Sequence, residues 1–272
     1  MSWIYKIRYL LGKIKKMIVE ILYFSAYKLG FSRIKNHSFQ RLMALRNKYS
    51  GKRCFIVGNA PSLNKMDLTR LHGEHCFVFN GAYEIANIVG PETVFQVVED
   101  RLVFEDHIDK LNSIDHPVFV PSDLSHLVKS KGLIVCPFSR AWPEFLPSWP
   151  AFIDLNASKP IFFWGGTVAI FGLQLALWMG FEEIYIIGVD LDYKIPDSVI
   201  RKGDVLISTS DDPNHYKSSY FGAGLRWHVP RPERMLKAFN KYSKLDMGVE
   251  IYNAGVGGKL DCFKRIDFKS LF

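Results

Sequence analysis

The segment Asp211–Tyr220 contains the side chain of this protein that is best suited to moving a proton. Its histidine, His215, stands among carboxylates, hydroxyls and tyrosines, and an imidazole has an ordinary pKa close to neutral pH. A neutral imidazole can accept a proton from a hydroxyl group, which makes His215 the candidate general base. His228 is the second candidate, and the other six of the eight histidines are expected at turns or on the surface.

A second group of candidate residues follows three apolar runs that are typical of buried parallel strands. In chain order these candidates are Gly58, Asn59, Ser62, Asn80 and Asp100. Parallel strands end at one edge of their sheet, where open α/β folds bind ligands, so we expect these residues to contact a nucleotide. Each of them can instead form a turn or cap a helix without any ligand. The first turn matches neither standard nucleotide fingerprint, so its spacing alone assigns no ligand.

Gly165, Gly166 and Thr167 precede the strongly apolar stretch 168–179, which predicts a buried helix. The first backbone N–H groups of a helix favour an anion, and two glycines leave room for one. These residues are therefore a candidate phosphate site. The alternative is a helix start that Thr167 caps without a ligand.

Two further strand ends carry polar residues. The apolar run 184–190 ends in Asp190, and Asp192 and Tyr193 follow it. Two carboxylates and a phenol can bind a cation or sugar hydroxyls, or they can form a solvated loop entrance. Asn253 follows the last predicted strand and is a candidate for nucleotide contact, although a tight structural turn is an equal alternative.

The elements that must position these residues alternate between strands and helices. Seven strands are predicted, over 53–57, 76–79, 94–98, 117–121, 133–136, 184–190 and 249–252. Helices are predicted over 31–52, 168–179 and 232–244, whereas 194–230 is polar and patternless. This order predicts a single α/β domain over 53–272 with one doubly wound, mostly parallel, Rossmann-like sheet, preceded by a helical arm over 1–52.

The basic character of the chain belongs to the arm. Residues 1–53 contain thirteen Lys and Arg and one acid, Glu20, whereas the rest of the chain has more acids than bases. Trp, Tyr, Leu and Ile alternate with the lysines, which is typical of a helix that lies on an anionic membrane surface. A helix packed on the body or on a second subunit is the alternative. No apolar run is long enough to span a bilayer, and no nucleic-acid motif accompanies the charge.

The cysteines and histidines predict no metal centre. The four cysteines, Cys54, Cys76, Cys136 and Cys262, lie far apart and form no C-x-x-C pair. They are expected to be reduced core residues of a cytoplasmic protein. The histidines have no zinc-ligand spacing.

The motifs resemble those of known enzymes. Residues 56–63 followed by Phe79-Asn80 resemble the opening of the bacterial family 42 glycosyltransferases, which are sialyltransferases, and equally that of the 6-hydroxymethylpterin-diphosphokinase-like proteins. The similarity continues through Gly166-Thr167, 180–190 and Asn214-His215-Tyr216. The final segment 251–265 resembles the diphosphokinase-like group in particular. The resemblance covers residues 53–272 and not the arm.

The resemblance to the sialyltransferases implies inverting transfer of an acidic sugar from a CMP-sugar, with no strictly required metal. It implies nucleotide contacts at Gly58, Asn59, Ser62 and Asn80, contacts to phosphate and sugar at Gly166 and Thr167, and contact between Tyr193 and the leaving phosphate. Two positions depart from that pattern. Ala60 stands where a glycine is usual, and the sialyltransferase base falls near Ser218-Ser219, so His215 serves as the base only if this loop has a different register.

Three functions follow as hypotheses. The first is a glycosyltransferase that moves a sialic-acid-like sugar from CMP to a glycan or lipid-linked acceptor, at the cytoplasmic face of the inner membrane through residues 1–30. The second is an ATP- and Mg²⁺-dependent pterin diphosphokinase, with Asp100, Asp190 and Asp192 as candidate ligands of Mg²⁺. The third is a membrane-recruited scaffold without activity. A homo-oligomer is compatible with each, and no nucleic acid is expected as a partner.

Overall fold

A computed structural model of the protein describes residues 36–140 and 149–272. Among the first 35 residues it describes residues 7, 11, 12, 14, 15, 17–22 and 25, all of which are helical. Most of the predicted arm, including the first residues of the predicted helix 31–52, therefore lies outside the described residues. Of the described residues, no helix combines the length and the apolar character that crossing a bilayer requires.

The described body contains thirteen strands and five helices. The strands are β1 (Arg53–Val57), β2 (Cys76–Phe79), β3 (Val94–Val97), β4 (Val118–Pro121), β5 (Leu133–Cys136), β6 (Phe138–Ser139), β7 (Phe162–Phe163), β8 (Glu183–Ile187), β9 (Ile200–Lys202), β10 (Val205–Ile207), β11 (Arg226–His228), β12 (Glu250–Asn253) and β13 (Lys264–Arg265). The helices are α1 (Asn36–Met43), α2 (Tyr83–Val89), α3 (Arg101–Asn112), α4 (Val168–Trp178) and α5 (Pro232–Tyr242).

Eight strands form the central sheet in the order β13-β12-β8-β1-β2-β3-β4-β5. Every pairing between neighbours in it is parallel. From β1 the chain runs outward through β2 to β5, and from β8 it runs outward in the other direction. The order therefore reverses between β1 and β8, which is where doubly wound sheets open a ligand crevice. The predicted fold class is confirmed.

Helices cover both faces of the sheet because the central strands are apolar on both sides. In β1, Cys54 and Ile56 pack with α1, α4 and α5, whereas Phe55 and Val57 face the opposite layer. α4 is buried along nearly its whole length, in agreement with the predicted apolar helix. Its single polar interior side chain, Gln174, binds the backbone of β7: its amide nitrogen donates to the oxygen of Phe163 at 2.7 Å and its oxygen accepts from the nitrogen of Phe163 at 2.9 Å.

The predicted helix 31–52 is wrong at its end. α1 ends at Met43, and the following residues form turns. The backbone nitrogens of Asn47 and Tyr49 donate to the oxygens of Trp178 and Met179, at 3.1 and 2.9 Å. These turns therefore satisfy carbonyl groups at the end of α4, which a continued helix would leave without partners.

The segment 194–230 is not patternless in the structure. It contains β9, β10 and β11, which form a three-stranded antiparallel sheet. Leu206, Phe221 and Trp227 pack in one apolar cluster with residues of α3. Arg226 binds α3 as well, with its Nε 3.0 Å from an oxygen of Asp106. The long connection is thus a small module fastened beside the carboxyl edge of the main sheet, and we call residues 194–230 the side module.

Candidate active site

A cavity of about 660 Å³ lies at the carboxyl ends of the central strands, under the side module. Its walls come from the turns after β1, β2, β3 and β8, from the start of α4, and from the side module. Of the predicted site residues, the cavity is lined by Gly58, Asn59, Asn80, Asp100, Gly166, Thr167, Asp190, Tyr193 and His215. Ser62, Gly165 and Asn253 are not among the lining residues.

Two glycines allow β1 and β8 to meet at the base of the cavity. A Cβ atom on Gly58 would lie 2.0 Å from the backbone oxygen of Gly188, which no side chain tolerates. The nitrogen of Gly58 donates to the oxygen of Ile187, and the nitrogen of Ala60 donates to that of Gly188. Ala60 has a φ of −71°, which any residue adopts, so glycine is not required there. Alanine in place of the glycine of the sialyltransferase pattern therefore introduces no backbone strain into this turn.

Asn59 joins the first turn to the side module. Its side-chain nitrogen donates to the backbone oxygen of Phe79 and to the hydroxyl of Tyr220, both at 3.1 Å. Its backbone oxygen accepts from the nitrogen of Tyr216 at 2.5 Å. The first motif of the sequence and the Asn-His-Tyr segment, more than 150 residues later, are therefore in direct contact.

Ser62 and Asp190 bind each other. The hydroxyl of Ser62 donates to one carboxylate oxygen of Asp190 at 2.5 Å, and its backbone nitrogen donates to the other at 3.2 Å. The side chain of Ser62 is buried, whereas Asp190 lies on the cavity wall. Ser62 therefore holds Asp190 in position and is separated from the cavity by it.

Asn80 and Asp100 lie at the ends of neighbouring strands, as the sequence predicts. Asn80 has a φ of 51°, and its side-chain oxygen accepts from the nitrogen of Glu99 at 3.3 Å. Asp100 is the N-cap of α3, because its carboxylate accepts from the nitrogen of Leu102 at 2.8 Å. Asp100 therefore caps a helix, which was the alternative to a ligand contact. Its second carboxylate oxygen still faces the cavity.

The start of α4 forms another part of the wall. Thr167 is the N-cap of this helix, with its hydroxyl oxygen 3.4 Å from the nitrogen of Ala169. Gly166 has a φ of +82°, and a Cβ atom there would lie 3.1 Å from the side chain of Arg234. The aliphatic part of Arg234 thus packs beside the helix start, on which the sequence predicts a phosphate, and Arg234 lines the same cavity. Gly165 faces Ile170 and not the cavity.

His215 is one half of an aspartate–histidine pair. Its Nδ1 lies 2.5 Å from a carboxylate oxygen of Asp212, a side chain only 3% exposed. The ring of His215 stacks on that of Tyr220, with centroids 4.5 Å apart. A carboxylate on Nδ1 favours the tautomer in which Nε2 is free to accept a proton. The pair therefore has the arrangement that a general base requires.

Tyr193 is a hydrogen-bond donor and not a base. Burial, with the nearby carboxylates of Asp190 and Asp212, raises the pKa of Tyr193 to about 12, so its hydroxyl stays protonated near neutral pH. Asn214 fixes this segment, because its side chain binds both the nitrogen and the oxygen of Lys194 at 2.6 Å.

Asn253 has a structural environment. It is buried, its side-chain nitrogen donates to the oxygen of Leu260 at 2.6 Å, and its oxygen accepts from the nitrogen of Gly255 at 2.9 Å. The turn alternative accounts for this residue, and the structure does not bring it to the cavity.

Comparison with known proteins assigns the chain to a family. The sequence profile described as "6-hydroxymethylpterin diphosphokinase MptE-like" matches residues 30–196, more than half of the chain. The chain belongs to the MptE-like family. The expected resemblance to the diphosphokinase-like group is thereby confirmed up to residue 196, and the match begins within the arm, at residue 30. The matched part of this MptE-like chain includes the cavity residues from Gly58 to Asp190 and ends before His215 and His228.

One solved structure is similar to this MptE-like protein. It is described as "Structure of MAf glycosyltransferase from Magnetospirillum magneticum AMB-1", with 14% identity and a TM-score of 0.47. The similarity covers 86% of this chain and 38% of that one, so the MptE-like chain spans well under half of that protein. No curated protein matches the chain.

Two ionic groups of the cavity in this MptE-like protein were not predicted from its sequence. In the first, Arg140 binds the carboxylate of Glu99 and, at 2.7 Å, that of Asp123. Burial raises the pKa of the Glu99 carboxyl above its ordinary value, and the Arg140 guanidinium opposes this effect. No short sequence pattern indicates this group, because Glu99, Asp123 and Arg140 follow three different strands.

The second group is another aspartate–histidine pair. The Nδ1 of His228 lies 3.1 Å from the carboxylate of Asp100, and both residues line the cavity. The hydrogen bond that His228 donates to the carboxylate of Asp100 raises the pKa of His228, although partial burial acts in the opposite direction. His228 was only the second choice from the sequence, since nothing nearby in the chain indicates its partner. The spacing of Asp212 and His215, by contrast, was a readable local signal.

Proposed function

We propose that this protein is a transferase that moves an acidic sugar from a CMP-sugar to a hydroxyl group of a glycan or lipid-linked acceptor. The observation that carries the proposal is the Asp212–His215 pair in the wall of a cavity at the strand-order reversal. Such a pair can remove the proton from an acceptor hydroxyl as its oxygen attacks the sugar carbon. No titratable side chain stands at Ser218-Ser219, the alternative position for the base.

The remaining wall suits a nucleotide monophosphate that carries a sugar. Asn80 offers an amide beside Asp100, and the start of α4 with Arg234 offers donors for a phosphate. The protonated hydroxyl of Tyr193 can donate to an oxygen of the same phosphate. The mechanism assigned here requires no bound metal ion.

A pterin diphosphokinase is the second candidate, and the description of the matched family favours it. The arrangement of the described cavity residues identifies no step of the diphosphokinase reaction. Its three candidate Mg²⁺ ligands hold other partners: Asp100 binds His228, Asp190 binds Ser62, and Asp192 binds Lys259 at 2.6 Å. Within the described ranges, no group of three or more possible ligands is arranged to hold a metal ion.

We also propose that the arm holds the protein on the cytoplasmic face of the inner membrane. Six of its described apolar side chains are exposed to solvent, each by 39 to 65%: Leu11, Ile14, Ile18, Val19, Ile21 and Leu22. Glu20, on another side of the helix, accepts a hydrogen bond from Ser139 of the body. An arm that packed on the body through its apolar side would have the reverse arrangement.

A nucleotide panel tests the function. Thermal shift is measured with CMP, CDP, UDP, AMP and ATP, each with and without Mg²⁺. Since a ligand that binds only the folded state raises its stability, about 100 Kd of CMP would add about 2.7 kcal/mol, with or without Mg²⁺. A shift with ATP and Mg²⁺ but none with CMP would replace this proposal with the diphosphokinase. No shift with any nucleotide would favour the scaffold.

A further inference from the structure

Two aspartate–histidine pairs each place their histidine in the cavity wall, and the proposed function uses one of them. The second pair joins Asp100 at the start of α3 to His228 at the end of β11. One oxygen of Asp100 accepts from the nitrogen of Leu102, and the other faces Nδ1 of His228. With Nδ1 held in this way, Nε2 is the ring nitrogen that remains for a ligand.

Contacts on both sides keep this pair in place. Arg226, two residues before His228, binds Asp106 of α3 with its Nε. Trp227 donates from its ring nitrogen to the hydroxyl of Ser208 at 3.1 Å and is buried in the side module. The pair therefore joins two elements that are already fastened to each other. This is the rigidity that a site for a charged ligand needs.

The charges around His228 favour its protonated form. Asp100 faces it directly, and the carboxylates of Glu99 and Asp204 act on it from a greater distance. Glu99 is paired with Arg140, and Asp204 with Arg231 at 3.0 Å. The three carboxylates together raise the pKa of His228 above the ordinary value of a histidine. The raised pKa favours a positive charge on His228, which lines the same cavity as His215.

We propose that protonated His228 receives the phosphate that leaves in the transfer reaction. This inference rests on the proposed function. His215 takes the proton of the acceptor hydroxyl, and the acceptor oxygen forms its bond to the anomeric carbon. The bond between that carbon and the phosphate oxygen breaks, and its electron pair goes to the oxygen, to which Nε2 of His228 donates its proton. The products are the glycoside and CMP.

The test measures the affinity of CMP from pH 7 to 9.5 by titration calorimetry. Cytidine, which lacks the phosphate, is the control ligand. Above pH 7 the phosphate is largely doubly charged, since its second pKa is about 6, so changes in affinity report on the protein. The wild type is expected to lose about tenfold in CMP affinity as His228 deprotonates, with cytidine affinity unchanged.

Variants test whether this loss of CMP affinity comes from the Asp100–His228 pair. His228→Gln should bind CMP about tenfold more weakly than the wild type at pH 7, without the pH dependence and with normal cytidine affinity. Asp100→Asn keeps a side chain that caps α3 equally well and should move the loss of affinity to lower pH. His126→Gln, at an exposed position outside the cavity, should behave as the wild type.

The outcomes separate the two proposals. Equal CMP affinity and equal pH dependence in the wild type and His228→Gln would overturn the role of His228 and leave the proposed function intact. A wild type that binds neither CMP nor cytidine would overturn the proposed function, and this inference with it. A loss of cytidine affinity in His228→Gln as large as that of CMP would assign the residue a structural role.

Discussion

The two histidines of the cavity differ in their surroundings, and this difference assigns their roles. His215 is mostly enclosed, with its side chain 14% exposed between Asp212 and the ring of Tyr220. His228 is 51% exposed and faces three carboxylates. An enclosed imidazole whose Nδ1 faces a carboxylate suits proton removal, and an accessible imidazole with a raised pKa suits binding of an anion. One cavity can thereby use one histidine to remove the proton of the acceptor and another to receive the leaving phosphate.

Replacing His215 by Ala removes the base and keeps the nucleotide site. We expect the turnover rate to fall about 10²- to 10⁴-fold, with CMP affinity within a factor of two or three of the wild type. Rates with saturating donor and CMP titrations measure the two effects. The same change at exposed His126 is the control. A proportional loss of rate and of CMP affinity would contradict the assignment.

His228 also links stability to pH. Because its pKa is raised in the folded protein, its contribution is complete below the unfolded value of about 6.5 and is lost as pH rises through the folded value. Wild-type stability should therefore fall across this interval more steeply than that of His228→Gln. Urea midpoints measured from pH 6 to 9 test this. Parallel curves for the two proteins would exclude the link.

At the scale of elements, the ends of β1 and β8 are in very close contact. Gly58→Ala would place a methyl group 2.0 Å from the oxygen of Gly188, and neither backbone can withdraw without breaking its own pairing. We expect a loss of about 1–3 kcal/mol in the free energy of unfolding, together with weaker CMP binding.

Gly222→Ala is the matched control, because the nearest atom to its Cβ would lie at an ordinary contact distance of 3.4 Å. Urea unfolding of both variants measures the difference. If the two lose the same stability, the contact between β1 and β8 is not the cause.

The bond between α4 and β7 is a second prediction at this scale. Gln174→Met preserves the size of the side chain and leaves the nitrogen and oxygen of Phe163 without their partner. We expect the free energy of unfolding to fall by about 1–3 kcal/mol. Gln40→Met in α1, at an exposed position, is the control. Equal stability of both variants would show that water or another group replaces the amide.

At the scale of the molecule, the arm and the body have opposite charge, and six described apolar side chains of the arm are exposed to solvent. Replacing Ile18 and Leu22 by Asp should abolish flotation of the protein on vesicles rich in anionic lipid, because two charges would enter the apolar interface. The same substitution at Ile195 and Ile200, also exposed but in the side module, should leave flotation unchanged. Flotation that survives the arm substitutions would contradict membrane binding through this face.

Most of the central sheet was predictable from the sequence. β1, β2 and β5 have the predicted bounds, and β3, β4 and β12 lie within a residue of prediction. β8 begins one residue before the predicted run 184–190 and ends three residues before its end, because the chain turns at Gly188, and the two-residue β13 was not predicted. Local apolar runs bounded by glycine or proline carry that information, because a strand buried on both faces must be apolar throughout. The strands of the side module are three residues long and partly exposed, and so they leave no such signal.

The arrangement of the cavity residues could be seen only in the tertiary structure. The sequence alone determined that glycines and short polar residues end the strands, since local patterns mark these ends, and that His215 is accompanied by a carboxylate three residues before it. The pairing of Asp100 with His228, 128 positions apart, and of Glu99 with Arg140 was decided only when strand order and the side module brought them together. Charges that distant in the chain meet because the sheet and its helices place them, and no local pattern encodes that placement.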